Sequence, residues 1–115
     1  LDDLTANLVK ELAGKSMVLM GTMGADPQRE YGKKVPVRVC DYVSQYTGDF
    51  KVFVCQGKID EKRTDKRRSL PKDSPHYLDD EAYKRHLLSR SHPDEADLSR
   101  ALAFCQMVYE YFLDN

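Results

Sequence analysis

"VPVRVCDYV" fills residues 35–43, and the fold turns on how it is read. As an alternating run, Val35, Val37 and Val39 face one way while Arg38, Cys40 and Tyr42 face the other, the two-residue period of a strand. Pro36 has no N–H to give to a ladder, so it belongs at the strand's start or on an edge. "SQYTGD" (44–49) turns the chain. "FKVFVCQ" (50–56) then alternates again, Phe50, Val52 and Val54 against Lys51, Phe53 and Cys55. Two alternating runs joined by a short glycine-containing turn predict an antiparallel hairpin.

Working outward, Leu1, Leu4, Leu8, Val9 and Leu12 recur at helical spacing, with Asp2 and Asp3 at the end that prefers acids and Gly14 as a C-cap. Met17 to Met20 reads as a short buried strand stopped by Gly21 and Gly24. Residues 24–34 have loop composition. Residues 58–79 read as a long basic loop with room for one helical turn. A short helix is expected over 80–89. The last helix starts at Pro93, capped by Ser91 or His92, with Asp94, Glu95 and Asp97 complementing its dipole. Its broad apolar stripe is Leu98, Ala101, Leu102, Cys105, Val108, Tyr109 and Phe112. The expected fold class is α+β in the order α-β-β-β-α: a three-stranded antiparallel sheet with helices packed on one face, and the long basic loop and short helix inserted before the last helix.

At 115 residues the chain is expected to form a single domain, residues 1–115. It begins at Leu1 rather than Met, which suggests an excerpt from a longer protein. No apolar run is long enough to cross a bilayer, and no signal-peptide pattern is present. Cys40, Cys55 and Cys105 are an odd, widely spaced set in apolar segments, expected to be buried reduced thiols in the cytoplasm or nucleus. The formal net charge is −1, with no bulk polarity that announces nucleic acid or membrane. Locally, residues 58–72 carry seven basic and three acidic side chains, and residues 73–115 carry four basic and nine acidic ones.

This element order is similar to that of the double-stranded-RNA-binding domain, over most of the chain apart from residues 58–92. That family grips RNA through its first helix, the loop between its first two strands, and a lysine-rich start to its last helix. Here the first helix offers Asn7, Lys10 and Glu11. The loop offers Arg29, Lys33 and Lys34. The last helix opens with Asp94, Glu95 and Asp97, which would repel phosphates. The resemblance therefore implies a member that has lost its RNA surface and serves as a protein-binding or dimerising module.

Among chemical motifs, Asp41 followed by Gln56-Gly57-Lys58 looks like a variant of a metal-dependent nuclease motif, if a hairpin brings Asp41 near Lys58. "AGKS" (13–16) lacks the earlier glycine of a phosphate-binding loop and follows a helix. His76, His86 and His92 stand apart, and no nucleophile motif is visible. No cofactor or metal is called for. The expected function is a non-catalytic protein–protein interaction domain, binding a protein partner or a second copy through Val108, Tyr109 and Phe112. The first alternative binds RNA or DNA through Lys58, Lys62, Arg63, Lys66, Arg67 and Arg68. The second is the nuclease.

Overall fold

The computed structural model describes residues 1–114; Asn115, within the expected domain, lies outside them. The elements are α1 (Asp3–Glu11), β1 (Met17–Met23), α2 (Lys34–Ser44), β2 (Phe50–Gln56), α3 (Glu61–Arg68), α4 (Asp80–Leu88), a 3-10 turn (Ser89–Ser91) and α5 (Glu95–Asp114). The sheet has two strands, not three, and they are parallel: Met17 pairs with Phe50, and Met23 with Gln56.

Residues 35–43 are therefore helix, and the expected hairpin does not exist. Val35, Val39 and Val43 satisfy both periods. Tyr42 and Tyr46 complete the helical stripe, while Val37, the odd member of it, is 58% exposed. Pro36 sits in the first turn of α2, where its missing N–H would have had no helical partner in any case. A parallel pair needs a crossover, and α2 provides it. Tyr42 Oη donates to the Ala6 carbonyl at 2.8 Å and ties α2 to α1.

α1 follows the sequence expectation. Asp2 caps it by accepting from the Thr5 N–H, and Gly14 ends the following turn at φ +82°, a conformation that favours glycine. β1 runs on through Gly21 to Met23. α1 and α2 cover one face of the sheet around Val9, Met17, Val39 and Val43, joined by Leu19, Phe50 and Val52. The helices do not share one face, because α5 packs on the other. Phe53 meets Phe104 at 5.3 Å between ring centroids, and Tyr111 Oη donates to Asp49 at 2.6 Å. The alternation read in β2 thus holds, with Phe50 and Val52 on one face and Lys51, Phe53 and Cys55 on the other.

Residues 58–79 are not all loop, since α3 lies inside them. Asp60 accepts from the Lys62 N–H as its N-cap, Glu61 stands in the first turn, and Lys66, Arg67 and Arg68 stand in the last. Only Thr64 of α3 is buried, so there is no apolar stripe to announce the helix. α5 opens with a reciprocal cap. Asp97 N–H donates to Asp94 Oδ1 at 2.9 Å, and Asp94 N–H donates to Asp97 Oδ2 at 2.8 Å.

Of the three free cysteines, Cys55 is buried, Cys40 is half-buried and Cys105 is exposed, against the expectation that all are buried. Burial pushes the Cys55 thiol pKa up. Among the described residues no helix is long and apolar enough to cross a membrane.

Candidate functional site

In an open parallel sheet, ligands bind outside the carboxyl ends of the strands. Here those ends are Met23-Gly24 and Gln56-Gly57, and they are drawn tightly together. The Gly57 N–H donates to the Met23 carbonyl at 2.7 Å, continuing the ladder past the strands. Gln56 Nε2 donates to the Gly24 carbonyl at 2.9 Å. A Cβ on Gly57 would lie 2.7 Å from Thr22 Cβ, so only glycine fits. The Ile59 N–H then donates to Ser89 Oγ at 3.0 Å, fastening the chain that leaves β2 to the 3-10 turn.

This arrangement disposes of the nuclease constellation. Asp41 lies on the exposed side of α2, which is a crossover and not a hairpin strand. The Gln56 amide is spent on Gly24, and Lys58 pairs with Glu61 at 3.3 Å.

Beyond Gly24 and Ile59 lies a cavity of about 240 Å³, walled by α3, α4 and the loop after β1. Tyr31, Arg67, Arg85 and His86 give it its polar lining. Arg67 Nε donates to the His76 carbonyl at 3.0 Å, and the Arg85 guanidinium lies 4.6 Å from the Tyr31 ring centroid. His86 Nδ1 is 2.8 Å from Thr64 Oγ1. Burial first, then the charges of Arg67, Arg85 and Arg63, hold the His86 imidazole pKa below its ordinary value.

The other basic residues named from the sequence are scattered. Lys62, Arg63 and Lys66 are exposed along α3. Arg68 turns inward, donating to the Leu78 carbonyl at 2.8 Å and to Asp80 at 2.6 Å, with its guanidinium over Tyr83. It clasps the loop over 69–79. Arg29 and Lys33 pair with Asp26 and Glu30. On α5, Val108 is half-buried, whereas Tyr109 and Phe112 are exposed. The sequence did not associate Tyr31, Arg85 and His86 with a site; the adjacency of Arg85 and His86 on the short helix was the one available signal.

His92, Asp94 and Asp97 bring potential ligand atoms within 4.8 Å of one another. The carboxylate of Asp97 is already filled by His92 Nδ1 at 2.6 Å, the Asp94 N–H, and Arg100 at 2.5 Å. A cation would have to expel the Arg100 guanidinium, so this is a closed capping network. Burial pushes the Asp97 pKa up, but the hydrogen bonds from Asp94 and His92 outweigh it and hold the carboxyl below its usual range.

A second concavity lies elsewhere. A groove of about 780 Å³ follows the free edge of β1 beside α1, lined chiefly by apolar residues including Leu1, Leu8, Val18 and Met20. Leu1, Leu4, Leu8, Val18 and Met20 are all exposed. The Cα radius of gyration is 16.7 Å, against about 13 Å for a compact chain of this length. Parallel sheets are normally buried on both faces, and β1 is bare on one of them.

A family model described as "Flavodoxin domain" matches residues 2–106. The chain is also 29% identical, over 109 residues, to the flavodoxin-like domain-containing protein BilS of Clostridioides difficile (strain CD3); the match covers 91% of this chain and 60% of that relative. The chain thus spans about three-fifths of the length of the curated relative it matches. No solved structure matches it significantly. The family match and the parallel β1–α2–β2 unit overturn the resemblance to a double-stranded-RNA-binding domain, which rested on reading residues 35–43 as a strand. The interaction, dimerisation, nucleic-acid-binding and nuclease readings fall with it.

Proposed function

The chain belongs to the flavodoxin domain family, and from that premise we propose that it forms part of a flavin-dependent electron-transfer domain. It contributes two neighbouring parallel strands and the helices on either side of them. The observation that carries the reading is the β1–α2–β2 unit lying within the family match. In the flavodoxin-like strand order 2-1-3-4-5, the flavin mononucleotide (FMN) sits where strands 1 and 3 meet. Those strands are not consecutive, whereas β1 and β2 are consecutive and joined by one helix. The flavin crevice therefore needs at least one strand besides these two.

Both concavities agree with that. The carboxyl-end cavity, at about 240 Å³, is below the roughly 300 Å³ at which pockets for ligands of cofactor size begin. The groove along β1 has room, but no lysine or arginine lines it to meet a phosphate. The residues present do not by themselves fit a flavin nucleotide. What they provide is an apolar seat: Leu8, Val18 and Met20 beside an uncovered strand edge. The 109 matched residues are 60% of the relative, which leaves it roughly 70 more. That is enough for a βαβ unit of about 30 residues and more. A further parallel strand laid on the free edge of β1 would fill the groove and cover Val18 and Met20. A bound flavin supplies the redox chemistry; these residues supply part of the frame that holds it.

The test is FMN titration followed by quenching of flavin fluorescence. Residues 1–115 alone are expected to give no saturable quenching. The same chain joined to the unmatched segment of the relative is expected to bind one flavin. Saturable binding by 1–115 alone would refute strand completion, and no binding by either protein would refute the flavin reading.

A further inference from the structure

We propose that the cavity at the carboxyl ends of β1 and β2 is a binding site for a small phosphate monoester, gripped by Arg67 and Arg85. The site lies wholly within this chain and does not depend on the flavin reading.

Charge comes first. Three other arginines have carboxylate partners: Arg68 has Asp80, Arg90 has Glu61, and Arg100 has Asp97. Among the described residues, neither Arg67 nor Arg85 has a carboxylate within ion-pair distance. Two unneutralised guanidinium groups therefore line one concave space, with Arg63 close enough to act on the same histidine. That excess suits a dianion, and a phosphate monoester carries about −1.5 to −2 near neutral pH.

Both arginines are held in advance. Arg67 spends only Nε, on the His76 carbonyl, which leaves both of its terminal nitrogens free to donate. Arg85 is stacked on Tyr31, which leaves the edge of its guanidinium available. A planar fork fixed in this way loses little freedom when it takes a phosphate.

His86 is set as a proton acceptor. Thr64 Oγ1, 2.8 Å from Nδ1, can accept from that nitrogen or donate to it, and in either tautomer the neutral imidazole keeps one nitrogen lone pair. An anion between the arginines offsets their share of what holds the His86 pKa down, the larger share being burial, and so favours uptake of a proton by the ring.

Size limits the ligand. A volume of about 240 Å³ corresponds to roughly eight water molecules at about 30 Å³ each. It holds a phosphate and a short carbon stem against Ile59, Leu78 and Ala82, and excludes a whole flavin nucleotide.

The experiment follows the imidazole resonances of the three histidines of the 1–115 chain by NMR, with inorganic phosphate, glycerol phosphate and FMN added in separate titrations. The expected result is a saturable shift of His86 with phosphate and glycerol phosphate, and an upward move of its titration midpoint. His92, which is bound to Asp97 and does not line the cavity, should not follow. Arg85→Gln should weaken binding at least tenfold, whereas Lys66→Gln, on exposed α3 surface, should leave it unchanged. Arg67→Lys, which keeps the charge and loses the fork, should also weaken it. An unmoved His86, equal shifts at all histidines, or wild-type affinity in both arginine variants would overturn the proposal. So would a response to FMN without one to glycerol phosphate, which would make the phosphate the flavin's own.

Discussion

Replacing Val39 with alanine, and separately Val37 with alanine, distinguishes a helix over residues 35–43 from a strand. A strand puts Val37 and Val39 on the same face, so both replacements should cost alike. In the structure Val39 is 9% exposed, packed with Val9, Met17 and Val43, whereas Val37 is 58% exposed. Val39→Ala removes two buried methyl groups. At about 0.8 kcal/mol each the transfer loss is about 1.6 kcal/mol, and the cavity left behind brings the expected cost to about 2–3 kcal/mol. Val37→Ala removes little buried surface and substitutes a better helix former, so its expected effect is within about 0.5 kcal/mol of zero. The assay is urea denaturation followed by far-UV circular dichroism, comparing midpoints at constant slope. Domains are held by only about 5–15 kcal/mol, so the Val39 shift is large on that scale. Equal losses at the two positions would refute the crossover helix and, with it, the parallel sheet.

Asp97→Asn should destabilise the chain by about 3 kcal/mol at neutral pH, because it breaks a buried, multiply bonded charge. The folded pKa of Asp97 lies below its unfolded value. Its contribution is therefore complete above the unfolded carboxylate range and lost as pH falls through the folded pKa. The gap between wild type and variant, measured by urea titration at a series of pH values, should close in acid. Gly57→Ala should cost about 1–3 kcal/mol by driving a methyl group into Thr22; a thermal midpoint equal to wild type would show that Gly57 and the end of β1 are not in close contact.

The legible elements were those whose burial follows one period. α1 showed its apolar stripe and its acidic start, and β2 showed its alternation, which survives in the structure with a helix layer on each side. α4 was found from Ala82, Tyr83, His86 and Leu87. Residues 35–43 misled because Val35, Val39 and Val43 fit both a two-residue and a helical period, and only Val37 discriminates. α3 was missed because it buries a threonine and no apolar side chain; its signal was the Asp60 cap and the charge gradient from Glu61 to Arg68. Parallel pairing cannot be read from either strand alone, since it depends on what the intervening segment is. The carboxyl-end cavity was half visible. Arg67 stood out in the basic stretch, but Arg85, His86 and Tyr31 reach it only through the packing of α4 and the loop after β1. The apolar stripe of α5 was drawn too far round. Phe104 meets Phe53 and Tyr111 meets Lys51 on the sheet, Val108 is half-buried, and Leu98, Leu102 and Tyr109 are left exposed.

The most direct test of the parallel β1–α2–β2 unit is a set of proton–proton distances between the two strands by NMR. The structure predicts contacts joining Met17 to Phe50 at one end and Met23 to Gln56 at the other, with helical spacing throughout residues 35–43. Contacts pairing 35–43 with 50–56 in reverse order would contradict it, and would remove the unit on which the flavin-domain reading rests.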